Sequence, residues 1–348
     1  MNIKAQDLMN LMEEWAPQKL AESWDHPGLQ VGNPEQPVKK VLISLDLTEE
    51  NVDRAVKDGV SMIISHHPFL FKSLYSIDLS GYKGRVIGKL IKHDILSFAA
   101  HTNLDTARDG VNDALAEALG LSNPEGLVKE KTEPLLKVAA YVEFVKAKEF
   151  KGLLEKKYKG QAGHFYLLGD ADDSSRAGKM EFNVKSSSFR DILDDMKEIC
   201  GPVHCDIYEL KNGASVEYMG RVGELPEALP GKEALRYIKA KLGIPDLRYV
   251  GNTDITVRKV AVLGGAGSEF AALAKAKGAD LYLTGDLKYH EAQDASAMGL
   301  LIADGGHFYT ERVIVPKLAA RIRKAAAEKR WNLEVLEDSG AVDIFGHM

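Results

Sequence analysis

The chain has 348 residues, 45% of them hydrophobic and 28% charged, with a formal net charge of −6. That composition belongs to a globular protein long enough for two domains or one large one. It lacks the basic excess of a dedicated nucleic-acid binder, and no apolar stretch is long enough to span a membrane.

The N-terminus, Met1 to Lys4, lacks the apolar core of a signal peptide. The first segment then alternates helix and strand signals. Leu8, Leu11 and Met12 have helical spacing. Val41 to Leu45 is an apolar strand candidate ending at Asp46. Asn51 to Lys57 is helix-compatible, and Val60 to Ile64 is the next strand, stopped by Pro68 soon after His66 and His67. Ile95 to Ala100 is a third strand, ending at His101, and Val111 to Leu119 is a helix stopped by Gly120. Strands alternating with helices imply a mostly parallel sheet covered on both faces.

The middle has a different order. Leu136 to Phe144 reads as a strand and Ala147 to Lys157 as a helix. Two short β-like runs lie around Phe165 and Phe182, followed by a helix from Phe189 to Ile199 and a strand from Val203 to Tyr208. This β-α-β-β-α-β order is the ferredoxin-like pattern. It is expected to be an inserted α+β domain spanning 131–217. Its two cysteines, Cys200 and Cys205, make no disulfide framework and point to a reducing cytoplasm. With His204 they offer only three metal ligands at an unusual spacing, so free thiols are the expectation.

The first style then returns. Lys259 to Leu263, Leu281 to Thr284 and Leu300 to Ala303 read as strands. They are followed by Gly264 to Ser268, by Gly285-Asp286 and by Asp304 through His307. The fold expected is therefore α/β: one discontinuous domain, 1–130 and 218–348, with a mostly parallel or mixed sheet covered by helices.

Every short polar motif follows a strand, and in parallel sheets the strand C-termini gather where ligands bind. His66 and His67 are adjacent and would face opposite ways in a regular strand. At a strand end they either reach one site together or remain one core and one exposed histidine. Asp105 adds a carboxylate, unless it serves as an N-cap or Asx-turn residue; His101 is an alternative ligand from the same loop. His307 and Glu311 share a helix face with Ile314, Leu318 and Ile322. A carboxylate at the top of that buried stripe needs a partner, which a metal or a surface salt bridge would supply. Three histidines and two carboxylates exceed one zinc site and suit two divalent ions sharing a carboxylate. Mixed N/O ligation fits Zn, Mn, Fe, Co or Ni. Two further features point to a substrate. The Gly264 to Ser268 turn is either an anion-binding loop at a helix N-terminus or simply a tight turn. His290 is a candidate general acid or base, or a hydrogen-bonding neighbour of the site.

Five strings in this order resemble one known family: Trp24-Asp25, Ser65-His66-His67-Pro68, His101-Thr102-Asn103-Leu104-Asp105, Gly285 through His290, and Gly306-His307-Phe308-Tyr309-Thr310-Glu311. It is the dinuclear-metal family of GTP cyclohydrolase I type 2 homologs, also named for an NGG-interacting factor. The middle resembles the PII-like insert of its longer members. The resemblance implies His66, His67, Asp105, His307 and Glu311 as ligands of two metals, with Glu311 bridging. It also implies a ring-shaped homohexamer and hydrolysis of GTP or a related nucleotide. His26 stands where the family more often carries Asn. The rival reading is a non-catalytic metal-trafficking or regulatory protein. Nucleic-acid binding through the basic stretch Arg321 to Arg330 is a third and disfavoured one.

Overall fold

In the computed structural model, which describes residues 2–168 and 177–346, the apolar runs of the first segment become the parallel strands Lys40–Ser44, Met62–Ser65 and Leu96–Ala99. Their side chains alternate between two cores. Val41, Ile43, Met62, Ile64, Leu96 and Phe98 enter one cluster; Leu42 and Ile63 enter another on the opposite face. Burial on both faces is why these strands read as unbroken apolar runs. Glu334–Glu337 adds a parallel strand beside Lys40–Ser44, and Gly28–Val31 closes the far edge antiparallel.

The second end segment builds its own sheet. Thr256–Ala266, Leu281–Gly285 and Leu301–Asp304 are parallel, flanked by antiparallel Arg248–Val250 and the far end of Cys205–Pro230. The sheet expected over both end segments thus divides into two mixed ones, and the fold is mixed α/β. One hydrophobic cluster joins their inner faces to Leu8 and Met12 of helix Ala5–Trp15, to Leu115 of helix Val111–Ala118, and to Ile314, Leu318 and Ile322 of helix Ile314–Glu328. Each of these fully buried aliphatic side chains contributes about 2 kcal/mol.

Contacts divide the chain into two units, Met1–Glu130 with Glu217–Met348, and Lys131–Val216. Two long strands, Ser122–Glu143 and Cys205–Pro230, carry the chain between them. The order along this stretch is strand, helix Phe144–Lys157, strands Ala162–Leu168 and Ala177–Lys185, helix Phe189–Cys200, strand. Val138, Phe150, Phe182, Ile192 and Met196 form a separate core there. Cys200 and Cys205 form no disulfide.

Two features bear on partners. Among the described residues no helix is long and apolar enough to cross a membrane. The basic stretch near the C-terminus is engaged within the fold: Arg321 donates to Asp109 and lies over the Trp15 ring, and Arg323 donates to Glu337. That leaves less cation for nucleic acid than the sequence suggests.

Candidate metal centre

The chain leaves strand Met62–Ser65 by bending sharply. The amides of His66 and His67 both donate to the Leu45 carbonyl, and Ser65 Oγ donates to the His67 carbonyl. The bend lets two consecutive rings approach with centroids 4.9 Å apart instead of facing opposite sides. His66 is fully buried. Its Nδ1–H donates to the Ala100 carbonyl at 2.7 Å. A carbonyl only accepts, so this bond fixes the tautomer and leaves the Nε2 lone pair pointing inward.

His307 and Glu311 open the second half. They occupy one face of the short helix His307–Glu311, which starts at Gly306 after strand Leu301–Asp304. The helix stops before Ile314–Glu328 because Pro316 has no N–H for the Arg312 carbonyl. Glu311 is buried beneath the turn at Gly265. Gly265 has a φ of +66°, and a Cβ there would stand 2.2 Å from Glu311 Oε1. Only glycine accommodates both the left-handed backbone and the carboxylate.

Around Glu311 the donor atoms fall into two sets. Oε2 lies 2.8 Å from His67 Nε2 and 3.0 Å from His307 Nε2. Oε1 lies 3.8 Å from His66 Nε2, which is 3.6 Å from Asp105 Oδ1. His66 Nε2 and Asp105 Oδ1 are buried with no hydrogen-bond partner. Orphaned buried polar atoms are costly, and these two aim at one another's neighbourhood across a gap too long for a hydrogen bond. A cation is the group that fits. Three overlapping groups have ligand atoms close enough to hold a metal ion: His67, His307 and Glu311; His66, Asp105 and Glu311; and His66, His67 and His101. All five residues singled out in the sequence therefore meet, with His101 beside them.

The charges are strongly coupled. Burial favours a neutral Glu311, but the imidazoles of His307, His66 and His67 outweigh it and hold this carboxyl well below its usual range. Burial, reinforced by the Glu311 charge, pushes Asp105 up to about 8. Burial opposes a charged His67, yet Glu311 and Asp46 outweigh it and raise the ring to about 10. His307 rises to about 9 because Glu311 and Asp286 likewise outweigh its burial. Without metal the cluster therefore stores protons on His67, His307 and Asp105.

Sequence reading did not assign the anchors of these rings. Asp46 Oδ1 accepts from His67 Nδ1 at 2.8 Å, and Asp286 Oδ2 from His307 Nδ1 at 2.8 Å. Asp286 reaches its place with a φ of +53°, uncommon outside glycine. The motif Trp24-Asp25 also finds its role: buried Asp25 accepts from the Thr102 amide and hydroxyl and lies 3.0 Å from His101 Nδ1. Burial works against the Asp25 charge, but His101 and Thr102 outweigh it and bring the carboxyl down to about 2. The signal available in advance was position alone, since Asp46 and Asp286 each follow a strand end.

Two sequence-marked features lie apart from the cluster. The amides of Gly264 and Gly265 donate to Asn112 Oδ1 and Thr310 Oγ1. The glycine turn thus spends these donors on the protein, as a tight turn does and an anion loop does not. His290 is exposed on helix Tyr289–Ala297 with its Nδ1 at 3.2 Å from Gln293, and it lines neither cavity at the cluster.

Those two cavities meet at His67 and His307. One, of about 810 Å³, is lined by Trp24, Phe71, His101, Asp105 and Glu311. The other, of about 590 Å³, is lined by Asp46, Asp286, Arg248 and the C-terminal residues Val342 to Phe345.

Fold and donors together define a mixed α/β protein with a histidine–carboxylate cluster able to bind a metal ion. The chain belongs to the Duf34/NIF3 (NGG1p interacting factor 3) family, whose sequence model matches residues 3–339. It is 35% identical to a GTP cyclohydrolase 1 type 2 homolog of Bacillus subtilis (strain 168) over 96% of each chain. The corresponding Listeria innocua protein is 36% identical, also over 96% of each. The fold matches the crystal structure of a Bacillus cereus protein related to NIF3 with a TM-score of 0.90 and 35% identity, covering 100% of this chain and 99% of that one. A Staphylococcus aureus protein matches with a TM-score of 0.84 and 31% identity, covering 99% of both.

Proposed function

We propose that this protein is a dinuclear metal-dependent hydrolase. One divalent ion is held by His66, Asp105 and Glu311, the other by His67, His307 and Glu311, with Glu311 bridging. The observation that carries this reading is the division of the Glu311 carboxylate, one oxygen toward the buried histidine and the other toward the two outer ones. Imidazole and carboxylate donors without thiolate suit Zn, Mn, Fe, Co or Ni. Divalent ions there supply Lewis acidity and ionise water near neutral pH. The chain's own part is to hold the donors at fixed tautomers and to bury one side of the pair. The names of the relatives, GTP cyclohydrolase 1 type 2 homologs, support GTP or a related nucleotide as the substrate class. Elemental analysis tests the centre: two ions per chain are expected, falling in Glu311→Ala. Release of formate from GTP by the loaded protein tests the chemistry.

A second reading is a metal-handling or regulatory protein without turnover. It is favoured by the two cavities meeting at His67 and His307, which give an ion there two routes. Turnover lost in His67→Ala would remove it.

We also propose a cytoplasmic homohexamer. Leu74, Tyr75, Ile77 and Leu79 are exposed in one loop, an apolar surface that suits burial against another copy. The strand order of the insert, Cys205–Pro230, Ser122–Glu143, Ala177–Lys185, Ala162–Leu168, supports a ferredoxin-like, PII-like module. Light scattering of the purified chain checks the hexamer.

A further inference from the structure

The larger cavity beside the cluster has a definite charge. Five carboxylates line it: Glu22, Asp105, Glu130, Glu269 and Glu311. Among the described residues no lysine or arginine does. Two divalent ions would bring four positive charges against those five, and the histidines that bind them would be neutral. Even a loaded cavity therefore offers no surplus positive charge to a polyphosphate. Proteins that hold phosphates supply arginine, lysine or free helix N-terminal amides. Here the amides of Gly264 and Gly265 are already taken by Asn112 and Thr310.

The same wall carries aromatic surface. Trp24 is 55% exposed and Phe71 48% exposed, with ring centroids 5.8 Å apart in an edge-to-face arrangement. The His101 ring meets both edge-on, at 6.1 Å and 6.2 Å. Large rings at a cavity wall, each about half exposed, suit stacking by a flat ligand. Beyond them lie the unpartnered His66 Nε2 and Asp105 Oδ1, so the deep end of the cavity is built for a cation.

We infer that the cavity takes a planar heteroaromatic ring that is uncharged or cationic, stacked on Trp24 or Phe71 with a hard donor atom directed at the metal pair. It discriminates against the same ring carrying a triphosphate. This inference rests on the dinuclear reading above and replaces the nucleotide of its substrate class with the nucleoside or base.

Calorimetric titration of the full chain with guanosine and with GTP tests it, with metal content measured before and after each titration. Guanosine is expected to bind, and GTP to bind about tenfold or more weakly at low salt, the gap narrowing at high salt because charge causes it. The Glu22→Gln/Glu269→Gln double variant is expected to recover GTP binding while leaving guanosine unchanged. Trp24→Ala is expected to weaken guanosine about tenfold with metal content intact. GTP binding as tightly as guanosine, or neither binding to protein that holds two ions, overturns the inference. Protein that holds no ions overturns the dinuclear reading instead, and the metal measurement separates the two failures.

Discussion

The two halves of the histidine–carboxylate cluster are anchored by different physics. On the inner side, His66 and Asp105 are buried, and the His66 ring is set by a backbone carbonyl. On the outer side, His67 and His307 keep 22% and 37% of their side-chain surface exposed, and each ring is set by a carboxylate that is itself half exposed. A neutral carbonyl fixes the ring and its tautomer without adding a charge beside it. A carboxylate fixes geometry and also makes the ring a stronger base and ligand. The inner half is thus specified by the fold and the outer half by charge. The outer half should respond to salt and to substitution of its anchoring carboxylates, Asp46 and Asp286, whereas the inner ring has no carboxylate anchor to lose.

The largest effect expected is from Glu311, the one residue both halves share. Glu311→Ala should remove both proposed ions together, read by elemental analysis. Retention of one ion would show that the halves are independent. Asp105→Asn should cost the inner ion and spare the outer, because His67 and His307 have their own carboxylate anchors. The same variant should raise apo-protein stability increasingly from about pH 4 to about pH 8, the window over which the buried Asp105 of the native chain resists ionising. The sign follows from its raised value of about 8: this ionisation destabilises the apo fold as pH climbs from the unfolded carboxylate range.

Metal loading itself should be pH-dependent. Binding requires neutral His67 and His307 and an ionised Asp105, whereas the apo cluster protonates them up to about 10, about 9 and about 8. Loading therefore releases protons, and affinity should rise by up to about tenfold per pH unit for each proton released. Chelator competition from about pH 6 to about pH 8 measures the slope. A flat profile would show that His67 and His307 are neutral and Asp105 ionised in the apo protein.

Asp46→Asn and Asp286→Asn each remove one outer anchor while keeping its shape. Each should weaken metal binding by about 10–100-fold. Comparable loss of the inner ion would break the distinction between the halves. Gly265→Ala approaches the same point from the backbone. It should displace Glu311, since its Cβ would fall 2.2 Å from Oε1, and also carry a penalty of about 1 kcal/mol for positive φ.

The inner half was the more legible in sequence, for a reason in the strands. Two parallel strands buried on both faces give unbroken apolar runs, so their ends are visible, and both inner residues, His66 and Asp105, follow those ends, as does His67 of the outer half. His307 and Glu311 showed through the helical stripe at Ile314, Leu318 and Ile322, although Pro316 divides that stripe into two helices. The anchors were hidden because Asp46 and Asp286 sit in loops on different sheets, far apart in the chain, and only folding brings them to neighbouring rings. Edge strands such as Gly28–Val31 and Arg248–Val250 were equally hidden, being short and partly exposed. The strand beginning at Ser122 was expected only from Leu136, because Pro124, Gly126 and the charged run Lys129 to Glu133 mask its start.

The smallest effect expected is at Asp25, which lies outside both halves and holds the loop that carries His101 and Asp105. Asp25→Asn keeps the volume and removes the charge accepted by Thr102 and His101, at a cost of about 2 kcal/mol. Metal content should stay at the native level, because none of the five proposed ligands loses an atom. The distinguishing signature is in acid. The folded value of about 2 lies below the unfolded value of about 3.9, so the Asp25 charge stabilises the fold fully above the latter. That contribution is lost as pH falls through about 2. Thermal unfolding of the metal-free native chain and variant should therefore differ at neutral pH and converge on acidification. A difference that persisted unchanged into acid would mean that Asp25 holds the loop by shape, and that charge sets only the outer half of the cluster.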